Sequence, residues 1–188
     1  MMEHVLLMKA GPYCGYSLDE IIKIKQKEEE KIGKFFWGYG GVFCRPDLIN
    51  AFVSSARQKK KKVFVLFVET KSSYETTEQG RFLNFSKNKI DWESLSEKVL
   101  LVGNTKKPHF AICGKNLKKT KTEIDLSQYQ VFLKSGMFSE LNKSLADYFK
   151  YRVDKACGIY SPEKTLKNKI VRISYVCELT EPCCVYVK

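Results

Sequence analysis

The segment Val63 to Val68 reads Val-Phe-Val-Leu-Phe-Val, six apolar residues rich in β-branched and aromatic side chains. Alternation is lost because both faces are apolar. Such a run is a strand buried on both sides, central in its sheet. It demands layers of chain above and below it, so the rest of the sequence must supply a sheet and its cover.

Upstream, Glu3 to Lys9 reads as an opening strand. Ser17-Leu-Asp-Glu20 is a capping box, in which the serine oxygen accepts the Glu20 amide and the Glu20 side chain reaches back to Ser17. Leu18, Ile21, Ile22, Ile24 and Ile32 then mark the apolar face of a helix over 18–32, with Gly33 as its stop. A second helix opens at Pro46, buries Leu48, Ile49, Phe52 and Val53, and ends near Arg57. Downstream, strands are expected at 81–86, 99–103, 110–114, 129–133, 170–179 and 183–187. A short helical turn is expected at 90–95, and a third helix through Met137, Leu141, Leu145 and Tyr148 or Phe149. Helix and strand stop alternating after residue 68. The expected fold is therefore α+β: one compact domain over residues 1–188, with a mixed, bent or partly barrel-like sheet and about three helices.

Between the first two helices lies Gly33 to Pro46, which crowds Phe35, Phe36, Trp37, Tyr39 and Phe43 among four glycines. Aromatic rings give large rigid contact area, and glycine lets a backbone approach a ligand. This stretch is the first candidate for a binding site. Its wall would be Trp37 and Tyr39, with Gly40 and Gly41 as the close-approach backbone. Arg45 would sit at the rim, before a helix N-terminus. A second group, Arg152, Asp154 and Lys155, would hold an anion: Arg152 gripping a phosphate or carboxylate and Asp154 orienting it. The competing reading of that group is a surface ion pair of small effect, about 0–1 kcal/mol.

Charge points the same way. Lys and Arg number 33 against 21 Asp and Glu, a net +12. Such an excess attracts polyanions, and a nucleotide or nucleic acid is the partner it favours. Lysine outnumbers arginine, which argues against bidentate base readout. Lys59 to Lys62 is either a solvated connector or a phosphate-contacting lip.

Catalytic motifs are missing. There is no Walker loop, no dinucleotide fingerprint, no His-Glu-x-x-His and no Gly-x-Ser-x-Gly. The seven cysteines are odd in number and none is spaced Cys-x-x-Cys; with His4 and His109 far apart, neither a zinc site nor a disulfide framework is expected. Cys44 beside Arg45 at a helix start is the one candidate nucleophile, set against the reading of a packed thiol. No cofactor is expected. No apolar run is long enough to span a bilayer and the N-terminus is too acidic for a signal peptide, so a cytoplasmic protein is expected.

Two motifs, Phe36 to Pro46 and Tyr151 to Cys157, resemble those of an uncharacterised family of small bacterial and phage proteins. The order of helix, Lys-Phe-Phe-Trp-Gly and apolar strand is also similar to PUA-like and EVE-type domains, small barrels that hold a modified base or RNA in an aromatic pocket. That resemblance implies a pocket containing Trp37 and Tyr39. The function expected from residues and resemblance together is a non-enzymatic module for a nucleotide or nucleic acid, of the kind a phage uses against host defence by sequestering a signalling nucleotide. The rivals are a protein inhibitor acting on a host defence complex and a Cys44-dependent hydrolase or transferase.

Overall fold

The computed structural model describes residues 4–40, 45–70, 80–101, 109–125 and 170–188. The described chain is α+β. Its elements are β1 (His4–Ala10), α1 (Leu18–Ile32), β2 (Phe35–Gly40), α2 (Pro46–Gln58), β3 (Val63–Glu69), β4 (Gly80–Ser86), β5 (Glu93–Leu101), β6 (His109–Asp125) and β7 (Ile170–Val187). Two helices lie among the described residues, against the three expected; the third expected helix, at 137–149, lies outside them, as does the strand at 129–133.

The seven described strands form one sheet, and among the described residues it does not close into a barrel. The 18-residue β7 is its spine. One edge of β7 pairs with β6, from His109↔Val187 to Asp125↔Ile170, and β6 carries β2 beyond it. The other edge forks. Phe64 to Phe67 of β3 pair with Tyr175 to Glu178, and β3 carries β1 in parallel. Further on, Phe85 and Ser86 of β4 pair with Val187 and Tyr186, and β4 carries β5. Between the two prongs, β7 faces α2 instead of a strand. Asn50 donates from Nδ2 to the Cys184 carbonyl (3.0 Å) and accepts the Cys184 amide on Oδ1 (3.2 Å). One side-chain amide thus does what a neighbouring peptide would do, so the gap leaves no orphaned backbone pair here.

The expected central strand is central: β3 lies between β1 and β7, with Val65, Leu66 and Phe67 fully buried. The capping box of α1 is present, with Ser17 N donating to Glu20 Oε2 (2.7 Å) and Glu20 N to Ser17 Oγ (3.3 Å). Gly33 ends the helix at φ 72°, a left-handed conformation that glycine takes without strain.

Other expectations needed correction. Residues 170–179 and 183–187 are one strand, continuous through a cis Glu181–Pro182 bond. The strand expected at 110–114 is longer than that: the Lys-rich run 115–121 belongs to the 17-residue β6. Lysine has poor strand propensity, and pairing with β7 overrides it. Leu117 and Ile124 give that strand its buried anchors. Residues 90–95 form the end of a turn and the start of β5, not a helical turn.

Gly114 is the tightest point of the sheet. It pairs with Phe35, whose ring folds back over it. A Cβ built there would lie 2.5 Å from Phe35 Cζ and 2.9 Å from Cys177 Sγ. Neither neighbour can yield freely, since both are fully buried. Gly114→Ala is expected to cost about 1–3 kcal/mol by overpacking, read as a shift in the urea midpoint; an unchanged midpoint would show that the ring moves aside freely.

Candidate functional site

Strand β2 turns the aromatic-glycine stretch into a two-sided packing element. Phe35, Trp37 and Tyr39 face the main core, while Phe36 lies with Phe82, Phe85 and Val185 in a second cluster. Trp37 is 6% exposed and packs on Phe67 with ring centroids 4.7 Å apart. Tyr39 is 3% exposed; its hydroxyl and the Cys184 sulfur are hydrogen-bonded at 3.0 Å. Rings sealed this far offer no face for a ligand to stack on, so Trp37 and Tyr39 are core residues, not a pocket wall. Gly40 ends β2, in register with His109. Arg45 is exposed at the N-cap of α2 and pairs with Asp47 at 3.3 Å. It shares no ligand-facing surface with the two buried rings. Gly41, Cys44, Arg152, Asp154 and Lys155 lie outside the described residues.

Cys113, Cys177 and Cys183 are poor nucleophiles. Burial pushes Cys113 up to about 12 and Cys183 up to about 11, and pushes Cys177 well above its ordinary value. All three stay protonated at neutral pH, and the thiolate is the reactive form. Among the described residues no three His, Cys, Asp or Glu side chains are grouped to hold a metal ion.

A different surface combines aromatic faces with free positive charge. It is built on the turn from β4 to β5. Buried Ser86 accepts the amides of Asn88 (3.3 Å) and Lys89 (2.9 Å) on Oγ and donates to Asn88 Oδ1 (3.1 Å). Asn88 Oδ1 in turn accepts the amides of Ile90 (2.8 Å) and Asp91 (2.9 Å). Side chains that cap a turn's own backbone in this way hold it in one shape. Lys89 adopts φ 68° inside it, and its carbonyl accepts the Trp92 indole N–H at 3.1 Å.

Strand pairing brings the end of β7 under this turn. Tyr186 pairs with Ser86, and the Lys188 carbonyl accepts the amides of Leu83 and Asn84. The Lys89 ammonium then lies 4.7 Å from the Tyr186 ring centroid, and the Lys188 ammonium 3.9 Å from that of Trp92. Both rings are half-buried. The inner edge of Tyr186 rests on Phe110, 5.5 Å between centroids. Lys87, in the same turn, is paired with Glu181 at 3.5 Å. Among the described residues neither Lys89 nor Lys188 forms a salt bridge; each ammonium rests on a ring.

A second lysine-on-tyrosine contact makes the contrast clear. Lys119 lies 5.6 Å from the Tyr175 ring centroid, but it also pairs with Asp19 at 3.3 Å. The Tyr175 hydroxyl donates to Asp19 as well. That hydrogen bond, then Lys119, holds the Asp19 carboxyl below its ordinary value. Here the cation is spent on a carboxylate, and the cluster ties the start of α1 to β6 and β7.

Sequence reasoning missed Trp92, Tyr186, Lys89 and Lys188. The available signal was a tryptophan alone in a polar, lysine-bearing turn, where nothing nearby in sequence buries it. Comparison of the chain with protein-family models, with curated proteins and with solved structures finds no match, so the site stands on its geometry.

Proposed function

We propose that the chain is a non-enzymatic binding module for a nucleotide or nucleic acid. The observation that carries this reading is the pair of half-exposed rings, Trp92 and Tyr186, each topped by an ammonium without a carboxylate partner among the described residues. A planar π-face beside free positive charge suits a base joined to a phosphate. The net charge of +12 supplies the long-range attraction such a partner would feel. Sequestering a signalling nucleotide, as a phage protein would against host defence, is one use of such a site.

Binding is expected to weaken steeply with salt, since each lysine–phosphate contact releases counterions. Two contacts, from Lys89 and Lys188, give a slope of log K on log salt of about −1.4 for a single strand. Calorimetry or anisotropy against a panel of cyclic and linear nucleotides, RNA and DNA checks this. A slope near zero, or no binding anywhere in the panel, would sink the reading.

A further inference from the structure

Resting on that reading, we infer that the ligand is a single-stranded nucleic acid, which takes successive bases on Trp92 and Tyr186 by displacing the two lysine ammoniums onto its phosphates. Lys89 links the two rings: its carbonyl holds the Trp92 indole at 3.1 Å, and its ammonium lies over Tyr186 at 4.7 Å. One lysine residue thus bridges the two rings, which lie within its own reach plus these two contacts, a separation that nearby nucleotides of one extended strand can span.

The resting contacts are exchangeable. An ammonium over an exposed ring is a weak attraction, and base stacking on the same face is stronger. A displaced lysine keeps its charge and gains a phosphate at the end of a flexible stem. The rings themselves do not need to move. The Ser86–Asn88 hydrogen bonds fix the turn carrying Trp92, and β7 fixes Tyr186 against Phe110. A preformed platform loses little entropy on binding.

The arrangement also discriminates among polyanions. A duplex keeps its bases stacked inside and presents only phosphates, so it meets the lysines but not the rings. A mononucleotide fills one ring. Only an unpaired strand uses both rings together with the phosphates between them.

The test uses the full chain and a fluorescein-labelled thymidine oligonucleotide of roughly twelve residues, within the usual footprint of single-strand binders. Its competitors are a hairpin duplex of the same length and thymidine monophosphate. The single strand is expected to bind at least tenfold tighter than either. Trp92→Leu keeps an apolar side chain but removes the π-face, and is expected to weaken the single strand tenfold or more with the salt slope unchanged. Trp92→Phe is expected to retain most of the affinity. Lys89→Gln with Lys188→Gln is expected to flatten the slope by about 1.4, two contacts at about 0.7 each. Equal affinity for duplex and single strand, or full affinity in Trp92→Leu, would overturn the stacking inference and leave the general anion-binding reading standing. No binding of any nucleotide or nucleic acid at about 50 mM salt, where such contacts are strong, would end both.

Discussion

Glu28→Ala is expected to destabilise the fold by about 3–5 kcal/mol, the usual cost of stripping one partner from a buried ion pair. Lys25 is 1% exposed, on the same face of α1 as Ile21 and Ile22. Its ammonium lies 2.8 Å from Glu28 Oε2. The other oxygen of Glu28 accepts the Phe36 amide at 2.7 Å, which joins the end of α1 to the start of β2. Burial lowers the Lys25 pKa, and Glu28 opposes that shift by attraction and hydrogen bond. Alanine at 28 removes the counter-charge and the acceptor together. The double variant Lys25→Met with Glu28→Gln removes both charges, fills the space and keeps an oxygen for Phe36. It is expected to lie within about 1 kcal/mol of the parent, because a buried pair seldom outperforms packed apolar groups. Urea unfolding of the two variants decides the matter. If the double variant is as unstable as Glu28→Ala, desolvated charge is not the cause.

Raising the pH above 9 is expected to unfold the protein progressively. Cys113, Cys177 and Cys183 all have folded values above their ordinary 9.0, with burial as the first cause. An acid whose folded pKa is raised keeps its proton while the unfolded chain loses it. Stability is therefore intact below pH 9 and declines as pH climbs from there. Each fully buried thiol contributes up to about 1.4 kcal/mol per pH unit. Lys25 has the opposite sign: its folded value is depressed, so it adds stability as pH rises toward the ordinary 10.5. Three groups against one leave a net loss on the order of 1–3 kcal/mol per pH unit between pH 9 and the folded values near 11–12. Urea midpoints taken at about pH 8, 9 and 10 measure the slope, and Cys113→Ala is expected to reduce it. A flat profile across that range would show that the thiols ionise in the folded chain.

What could be read from sequence was what short-range chemistry decides. Helix α1 announced itself through Ser17, Glu20 and Gly33, all acting within one turn of its ends. Strand β3 did so through an apolar run with no polar face. What escaped was set by partners distant in the chain. Trp37 and Tyr39 looked like a ligand wall because nothing near them in sequence shows that β3 and β6 cover them; only Phe67 and Phe110, placed by the sheet, make them core. Lys115 to Lys121 carried no strand signal because its strand character comes from β7. Residues 170–179 and 183–187 read as two strands, yet β7 runs through both. The Trp92–Lys188 contact joins residues 96 positions apart (188 minus 92), beyond any periodicity or motif.

The fork at β7 also bears on how the chain assembles. β1 pairs with β3 across α1, β2 and α2, and β4 pairs with β5, the next strand in sequence. Neither pair joins the other, or β6, until β7 arrives, and β7 follows all of them in chain order. The Asn50–Cys184 bonds that fill the fork span 134 positions. Loop closure over such distances must precede the contacts that reward it, so assembly of the sheet is slow relative to its parts. Until then the edges of β3, β4 and β6 that β7 will cover remain open, each a template for another chain. The strand that unites the fold is thus also the one whose delay leaves nascent chains most prone to pair with each other.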